Sequence, residues 1–268
     1  KVSNRVWDDM TAFAAYGFNL CHATAYSIIS YQCAWLYNYF PSEWVASFLD
    51  KEPEKRKEKA IMLAKKSGFE IRKLDVNTSG RVWEISEDGK TLIQPLTSIK
   101  GLGESAIEQI TKNRPFEKIE DFIFNEGITY SKLNKKALDV LTRSGALNGL
   151  VDERFSGLKH FWSSIAVDRP RKEKNLLENI EKYYPEGDFD DEQMIQYSVE
   201  LTGVFPMSDV MSDSIRESLD SRLIPPLGEY DRDLGVAWAI VRKIIPRKTK
   251  TGKDYWIVEA IDDTGTMS

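Results

Sequence analysis

Three stretches of the chain carry residue types whose spacing could do chemistry. The run Ile99-Lys-Gly-Leu-Gly-Glu-Ser-Ala-Ile107 places Gly101 and Gly103 one residue apart, directly before a helix start. Glycine permits backbone angles and a close approach that a side chain would block, and the first N–H groups of a helix have no intrahelical acceptor. Such a turn is an anion site, to which Lys100 adds charge and Ser105 a hydroxyl. The bland alternative is a glycine turn joining two packed helices, and the similar Arg143-Ser-Gly-Ala-Leu147 reads better that way. The second stretch, Phe13 to Tyr26 running on to Leu36, feeds a polar turn with Asn19 and His22 into a helix bearing Tyr26 and Gln32. Its spacing suits a helix start with a core aromatic stripe; the alternative is a surface on which a ring stacks on a base. The third holds six basic residues and no acidic one from Arg242 to Lys253. Solvated surface charge is the plain reading of that run.

These groups must be positioned by elements that the pattern also predicts. From His22 to Phe40 there is no Gly or Pro, and apolar residues recur at helical spacing, so a long helix should stop before Pro41, followed by a short one at 42–49. The charged run 51–66 reads as a solvated helix ending at Gly68. Alternation around Glu87-Asp-Gly-Lys90 predicts a β-hairpin, and helical spacing returns at 105–112 and 134–143. Residues from about 151 to 225 are broken by Pro170, Pro185, Pro206 and the pair Pro225-Pro226 and read as a packed connector; 236–245 and 255–261 read as two strands around the basic turn, with a final turn at 262–268. A lone two-stranded hairpin is marginal in water, which favours a piece of a longer chain.

Composition narrows the classes. The chain has 268 residues, 41% hydrophobic and 29% charged, the balance of an ordinary folded protein with room for two or three modules. No apolar run is long enough to span a membrane and no signal core follows the first residues, so a cytoplasmic protein without membrane association is the expectation. Two cysteines and two histidines are too few for a zinc cage or a disulfide framework. The net charge of -5, 37 basic residues against 42 acidic, argues mildly against nucleic acid, but the charges are segregated, with acidic residues gathered between Glu173 and Glu200. Aromatics are uneven too: twelve of thirty lie in the first fifty positions, as a dense core or an aromatic-lined site.

The Lys-Gly-Leu-Gly turn before a helix has the helix-hairpin-helix pattern of sequence-independent DNA binding. Beyond it, Tyr16-Gly-Phe-Asn19, His22-Ala-x-Ala-Tyr26, Ser30-Tyr-Gln-x-Ala-Trp-Leu36 and Tyr39-x-Pro-Ser-Glu43 resemble the fingers of family C replicative polymerases, the bacterial DNA polymerase III α subunits. Further matches follow in the same order: Asp75-Val-Asn77, Ile99 to Glu104, Pro115-Phe-Glu with Asp121-Phe122, Leu133-Asn-Lys-Lys-Ala-Leu138 and Ser144-Gly-Ala-Leu147. The resemblance is strong to about residue 150, loose to 235, and returns in the last thirty residues, which are similar to the opening hairpin of the family's OB-fold.

The resemblance implies a mainly α fold with small β parts: helical fingers, a helix-hairpin-helix module and a β-hairpin opening a partial OB-fold. Its boundaries are fingers at 1–96 with a β-hairpin at about 80–95, the hairpin module at 97–150, a helical connector at 151–230 and an incomplete OB-fold start at 231–268. It further implies DNA replication by a nucleotidyltransferase whose palm aspartates and Mg2+ lie outside this chain, so that the segment alone is inactive and holds neither a catalytic residue nor zinc. Tyr16, Asn19, His22 and Tyr26 would face the nascent base pair; Lys100, Gly101, Leu102, Gly103 and Ser105 the duplex backbone; Arg247, Lys248, Lys250 and Lys253 single-stranded template. The partners are template-primer DNA, an incoming dNTP and the upstream palm and thumb.

Two departures stand out. Leu20 occupies the place of a lysine in the family's Asn-Lys-Ser-His turn, and Asp209-Val210 replaces a His-Pro. A sliding clamp is a further candidate partner without a clear motif, since Gln193-Met-Ile-Gln-Tyr197 has the outline of a clamp-binding pentapeptide but falls in a connector helix. Such divergence suits a phage or otherwise atypical member. The rival readings are a non-enzymatic adaptor that binds DNA through the hairpin module alone, and a structural helical protein whose Gly-Leu-Gly is only a turn.

Overall fold

The computed structural model describes residues 2–16, 20–230, 233, 235–262 and 264–268, the side chains of 12–16, 55, 208 and 209 excepted. Asn19 therefore lies outside the described residues, as does the side chain of Tyr16. The chain divides into two units, residues 1–45 and 46–268.

The first unit contains α1 (Val2–Tyr16) and α2 (Leu20–Tyr39). Absence of Gly and Pro lets α2 run on for five turns, as the pattern predicts. As expected, α2 stops before Pro41 and a short helix follows: Pro41 occupies the first position of α3 (Pro41–Lys51), where a missing N–H leaves no bond unmade. The dense-core reading of the aromatic residues fails here: no residue of α2 is buried, and Tyr26, Tyr31 and Tyr39 are each 60% exposed or more. Trp35 instead leans on Tyr39 and Phe40, with ring centroids 4.9 and 5.8 Å apart.

In the second unit, α4 (Glu54–Lys66) ends where Gly68 takes φ +88, and it buries Ala60, Ile61 and Ala64 while Leu63 stays half exposed. Three short strands follow, β1 (Glu70–Arg72), β2 (Glu84–Ile85) and β3 (Thr91–Ile93). The hairpin expected around Glu87–Lys90 is the antiparallel β2–β3 pair, and β1 adds a parallel edge to β3 that the sequence pattern does not signal. Asp88 shapes the turn by accepting from the amides of Lys90 and Thr91 and from the Thr91 hydroxyl, bonds that hold its carboxyl down at about 2.

Helices α5 (Glu104–Asn113), α6 (Ile119–Ile123) and α7 (Lys135–Arg143) surround the main core, in which Leu96, Ile99, Ile107, Ile110, Phe122 and Leu138 are almost fully buried. The connector supplies α8 (Leu158–Trp162), continued by a wider π-type turn to Val167, then α9 (Glu173–Lys182), α10 (Asp191–Thr202), α11 (Met207–Val210) and α12 (Asp213–Ser221). His160 is a fully buried member of this layer, with ring nitrogens 3.0 Å from the Ser156 amide and 2.8 Å from the Ile180 carbonyl.

The last sheet has three strands where the pattern predicts two: β4 (Ile240–Lys248), β5 (Asp254–Asp262) and β6 (Gly265–Met267), all antiparallel. Residues 262–268, expected as a plain turn, give β6 because the buried Asp262 carboxylate gathers the amides of Thr264 and Gly265 and folds the strand back. A register shift between Val241 and Lys243 sets Arg242 out of step with β5. Arg242 consequently turns from the basic run towards Glu58 on α4, 2.9 Å away, and Glu58 also accepts from the Phe205 amide and the Thr266 hydroxyl. The architecture is mainly α with two small three-stranded sheets, the fold class expected.

A charged cluster ties α6 to the segment after α7. Arg154 bridges Glu120 and Asp152 at 2.5 and 2.6 Å, and these bonds hold both carboxyls below their ordinary 4.5 and 3.8. A carboxyl whose folded pKa is depressed stabilises the fold above its unfolded pKa and loses that contribution as pH falls through its folded one. Thermal unfolding should therefore show a falling melting temperature from about pH 5 downwards. Arg154→Met should lower stability at pH 7 by about 1 kcal/mol and flatten that acid dependence; an unchanged slope would show that the cluster contributes nothing to it.

Candidate nucleic-acid interface

The Gly-Leu-Gly turn is built from three constraints. Ile99 is buried in the main core and anchors the entry, and the Lys100 amide donates to the Leu201 carbonyl at 2.7 Å, tying the turn to the end of α10. Gly101 takes φ +90, a region in which a side chain is strained, and a Cβ there would lie 3.3 Å from Cε of Lys136. Gly103 is different. It sits at the N-cap of α5 in ordinary extended conformation, and a Cβ there would meet nothing within 4 Å.

Backbone accounting then separates the two glycine turns. At α5 no side chain caps the helix, and the amides of Ala106 and Ile107 already bond to the Gly103 carbonyl. Those of Gly103, Glu104 and Ser105 have no partner among the described residues. In the turn after α7, the amides of Ser144, Gly145, Ala146 and Asn148 all donate to carbonyls of Val140, Thr142, Leu141 and Gly145. Only the first turn leaves three successive amides without a partner among the described residues; the second is a closed helix end, as its sequence suggested. Two carboxylates stand beside the open turn, Glu54 at 2.8 Å from Lys100 Nζ and Glu104 at 3.2 Å from Arg81.

Other predicted residues are placed as follows. Leu102 packs half-buried against the core, and Ser105 lies in the first turn of α5. His22 and Tyr26 meet on the exposed surface of α2 with ring centroids 4.3 Å apart and planes at 41°. Leu20, in the place of the family lysine, opens α2 and is 79% exposed. Of the basic turn, Arg247 and Lys248 are consecutive on β4 and so face opposite sides of the sheet. Arg247 stands opposite Tyr255, and Lys248 lies 3.5 Å from Asp254. Lys250 and Lys253 are exposed in the connecting turn, closed by a bond from the Thr249 amide to the Lys253 carbonyl. Sequence reasoning missed Lys136, whose side chain lies beside Gly101 across 35 residues of chain; no local pattern signals that approach.

Comparison with known proteins agrees with this geometry. A family model described as a helix-hairpin-helix motif matches residues 68–157, a range that contains both turns and α5 to α7. A protein of Thermus aquaticus is 28% identical over 285 residues, covering 99% of this chain and 23% of its own length. One of Helicobacter pylori is 25% identical over 304 residues, with 99% and 24% covered, and one of Pseudomonas aeruginosa is 30% identical over 174 residues, with 63% and 15% covered. All three are DNA polymerase III alpha subunits. The chain is a divergent relative of that subunit. It spans about a quarter or less of the length of these relatives. Among the described residues, no group of three or more His, Cys, Asp or Glu side chains is placed to hold a metal ion, and no helix is long and apolar enough to cross a membrane.

The contrast between the two glycines can be measured. Gly101→Ala should cost about 1 kcal/mol or more of folding stability, because its φ is positive and Lys136 must move. Gly103→Ser should be neutral or stabilising by a few tenths, about what a hydroxyl cap adds over glycine. Equal losses in chemical denaturation would contradict the distinction.

Proposed function

We propose that this chain is the DNA-holding portion of a family C replicative polymerase, comprising the later fingers, the helix-hairpin-helix module and the first strands of an OB-fold. The observation that carries the reading is the open first turn of α5 behind Gly-Leu-Gly, in a chain similar to DNA polymerase III alpha along 99% of its length. Amides of Gly103, Glu104 and Ser105 converge on a non-bridging phosphate oxygen, while the positive end of α5 and the ammonium groups of Lys100 and Lys136 supply charge. Contacts of this kind fix position along a duplex without reading its bases, as processive synthesis on every sequence requires. The bare Gly103 lets the phosphate reach the amides, where a larger side chain would hold it off.

The finer assignments follow the same reading. Tyr16, Asn19, His22 and Tyr26 line the nascent base pair, where a ring stacks on a base edge-on to the incoming dNTP; with Leu20 present, the charge beside the triphosphate comes from another residue. Arg247, Lys248, Lys250 and Lys253 meet single-stranded template at the rim of the OB sheet, the sugar-phosphate running past Arg247 and Tyr255 on one side. Two-metal phosphoryl transfer belongs to palm carboxylates upstream, and no step of it runs through this chain. The sliding clamp and the palm and thumb are its proposed protein partners.

Gly103→Asp gives a clean test, because aspartate is a good N-cap and should leave α5 intact while it places a negative charge where the phosphate sits. Affinity for duplexes of unrelated sequence should fall alike, by about tenfold or more, and the dependence on salt should become shallower. Unaltered affinity with unaltered circular dichroism would make the turn purely structural. Separately, the purified chain given Mg2+, dNTPs and a primed template should leave the primer unextended, and addition of the upstream polymerase segment should restore synthesis. Reproducible extension by the chain alone would overturn the division of labour.

A further inference from the structure

The cations around the open turn are not equally available. Lys136 has no ion pair among the described residues, and its Cε lies 3.3 Å from the place a Cβ would take on Gly101. Lys100 is engaged: its Nζ lies 2.8 Å from Oε1 of Glu54, the first residue of α4. The pair closes over Gly203, the residue that caps the C-terminus of α10 at φ +72, where a Cβ would stand 3.4 Å from that carboxylate oxygen and 3.5 Å from the ammonium. The Lys100 amide also donates to the Leu201 carbonyl, so both the backbone and the side chain of Lys100 are held at the end of α10. Three elements far apart in sequence thus meet at one ion pair. Arg81 is matched in the same way by Glu104, at 3.2 Å.

A phosphate drawn to Lys100 must deal with the carboxylate already there. An ammonium has three donors and could touch both anions, but the two would then stand close together, like charge beside like charge. The existing pair is easily opened, because the Lys100 and Glu54 side chains are 49% and 65% exposed and water screens them. We propose that Glu54 sets the affinity of the hairpin for the DNA backbone by competing with phosphate for the Lys100 ammonium. In the free chain Lys100 belongs to Glu54; on a duplex it passes to a phosphate, and opening the ion pair subtracts from the grip. The inference rests on the duplex-holding reading above and gives that site a regulator: a turn that must release each phosphate as the duplex advances keeps a competitor within reach of its own lysine. Glu104 stands in the same relation to Arg81, but it heads α5, the helix whose N-terminus would hold the phosphate. Glu54 heads a different helix, so it can be varied without altering that end.

The test is a titration of the full 268-residue chain with a mixed-sequence duplex at several salt concentrations. Glu54→Gln should raise affinity about two- to fivefold, the range set by an exposed ion pair. It should also steepen the slope of log K against log salt by up to about 0.9, the contribution of one further cation freed for phosphate. In a Lys100→Met background the same substitution should give no gain, because the group competed for is gone. Glu54 carries its charge in the first turn of α4, where it favours the helix, so any loss of fold would lower affinity and cannot imitate the expected gain. Glu54→Asp, which keeps that charge but shortens the reach to Lys100, should give a smaller gain of the same sign. Equal gains with and without Lys100 would reduce Glu54 to a general repulsive charge, and no gain from either variant would make the pair a structural tie. Each of those results overturns the inference, while weaker binding by Gly103→Asp would keep the hairpin reading. If the unsubstituted chain binds no duplex, both fall.

Discussion

Every backbone amide withdrawn from water must find an acceptor, and in this chain that constraint distinguishes one surface from the rest. The turn after α7 bonds its Ser144, Gly145, Ala146 and Asn148 amides back within five residues, so its glycine does no more than close a helix. The turn before α5 cannot do the same. Its Lys100 amide is drawn off to the Leu201 carbonyl and its Leu102 amide to Ile99, around the left-handed Gly101, and the amides of Gly103, Glu104 and Ser105 are left without a partner among the described residues. The helix then starts without a side-chain cap. The core residues Ile99 and Ile107 lock both ends of that arrangement, so the open donors are held by packing and cannot relax into a self-satisfied turn.

The same bond to Leu201 links the hairpin to the connector, and the connector is linked in turn to the last sheet. Glu58 is the node of that second link: one carboxylate on α4 receives the Phe205 amide, the Arg242 guanidinium and the Thr266 hydroxyl. Arg242 and Glu58 are both largely shielded, at 18% and 16% side-chain exposure, so loss of either partner leaves a poorly solvated charge. The β-bulge that aims Arg242 inward is thus part of how the sheet is seated, and it removes one cation from the basic run. Arg247, Lys250 and Lys253 remain outward at the far end of the hairpin, and Lys248 shares its charge with Asp254.

Local signals in the sequence were strong where the responsible physics is local. Gly and Pro spacing, the helical recurrence in 20–39 and 135–143, and the Asp88-Gly turn all describe interactions within a few residues, and those elements appear where expected. What the sequence could not signal is set by distant partners. Strand β1 is three residues long and exists because β3 offers it an edge 21 positions away. The aromatic run of α2 reads as a core stripe from its spacing, and its exposure overturns that reading. At the interface, Gly101 and Gly103 carried identical letters, yet one is required by φ and the other stands in open space. Lys136 reaches Gly101 through a contact no periodicity records.

The acidic total of the chain also finds its explanation in placement. A net charge of -5 would repel a polyanion if the charge were spread evenly. Much of the acidic charge is engaged in ion pairs and caps: Asp152 and Glu120 on Arg154, Asp139 on Arg143 and Trp162, Asp188 on the amides of α8 and Asp262 on the last strand. With screening lengths near 10 Å at ordinary salt, such groups act on their immediate partners and little beyond. On the proposed reading, a backbone phosphate at Gly103 would meet Lys100, Lys136 and Arg81 against Glu54 and Glu104, together with the aligned amides of α5. Side-chain charge at the turn is then slightly positive and adds to the fixed peptide dipoles. A site of that kind would hold a phosphate locally without drawing nucleic acid to the whole surface, which is what the proposed duplex-holding role asks of an acidic protein.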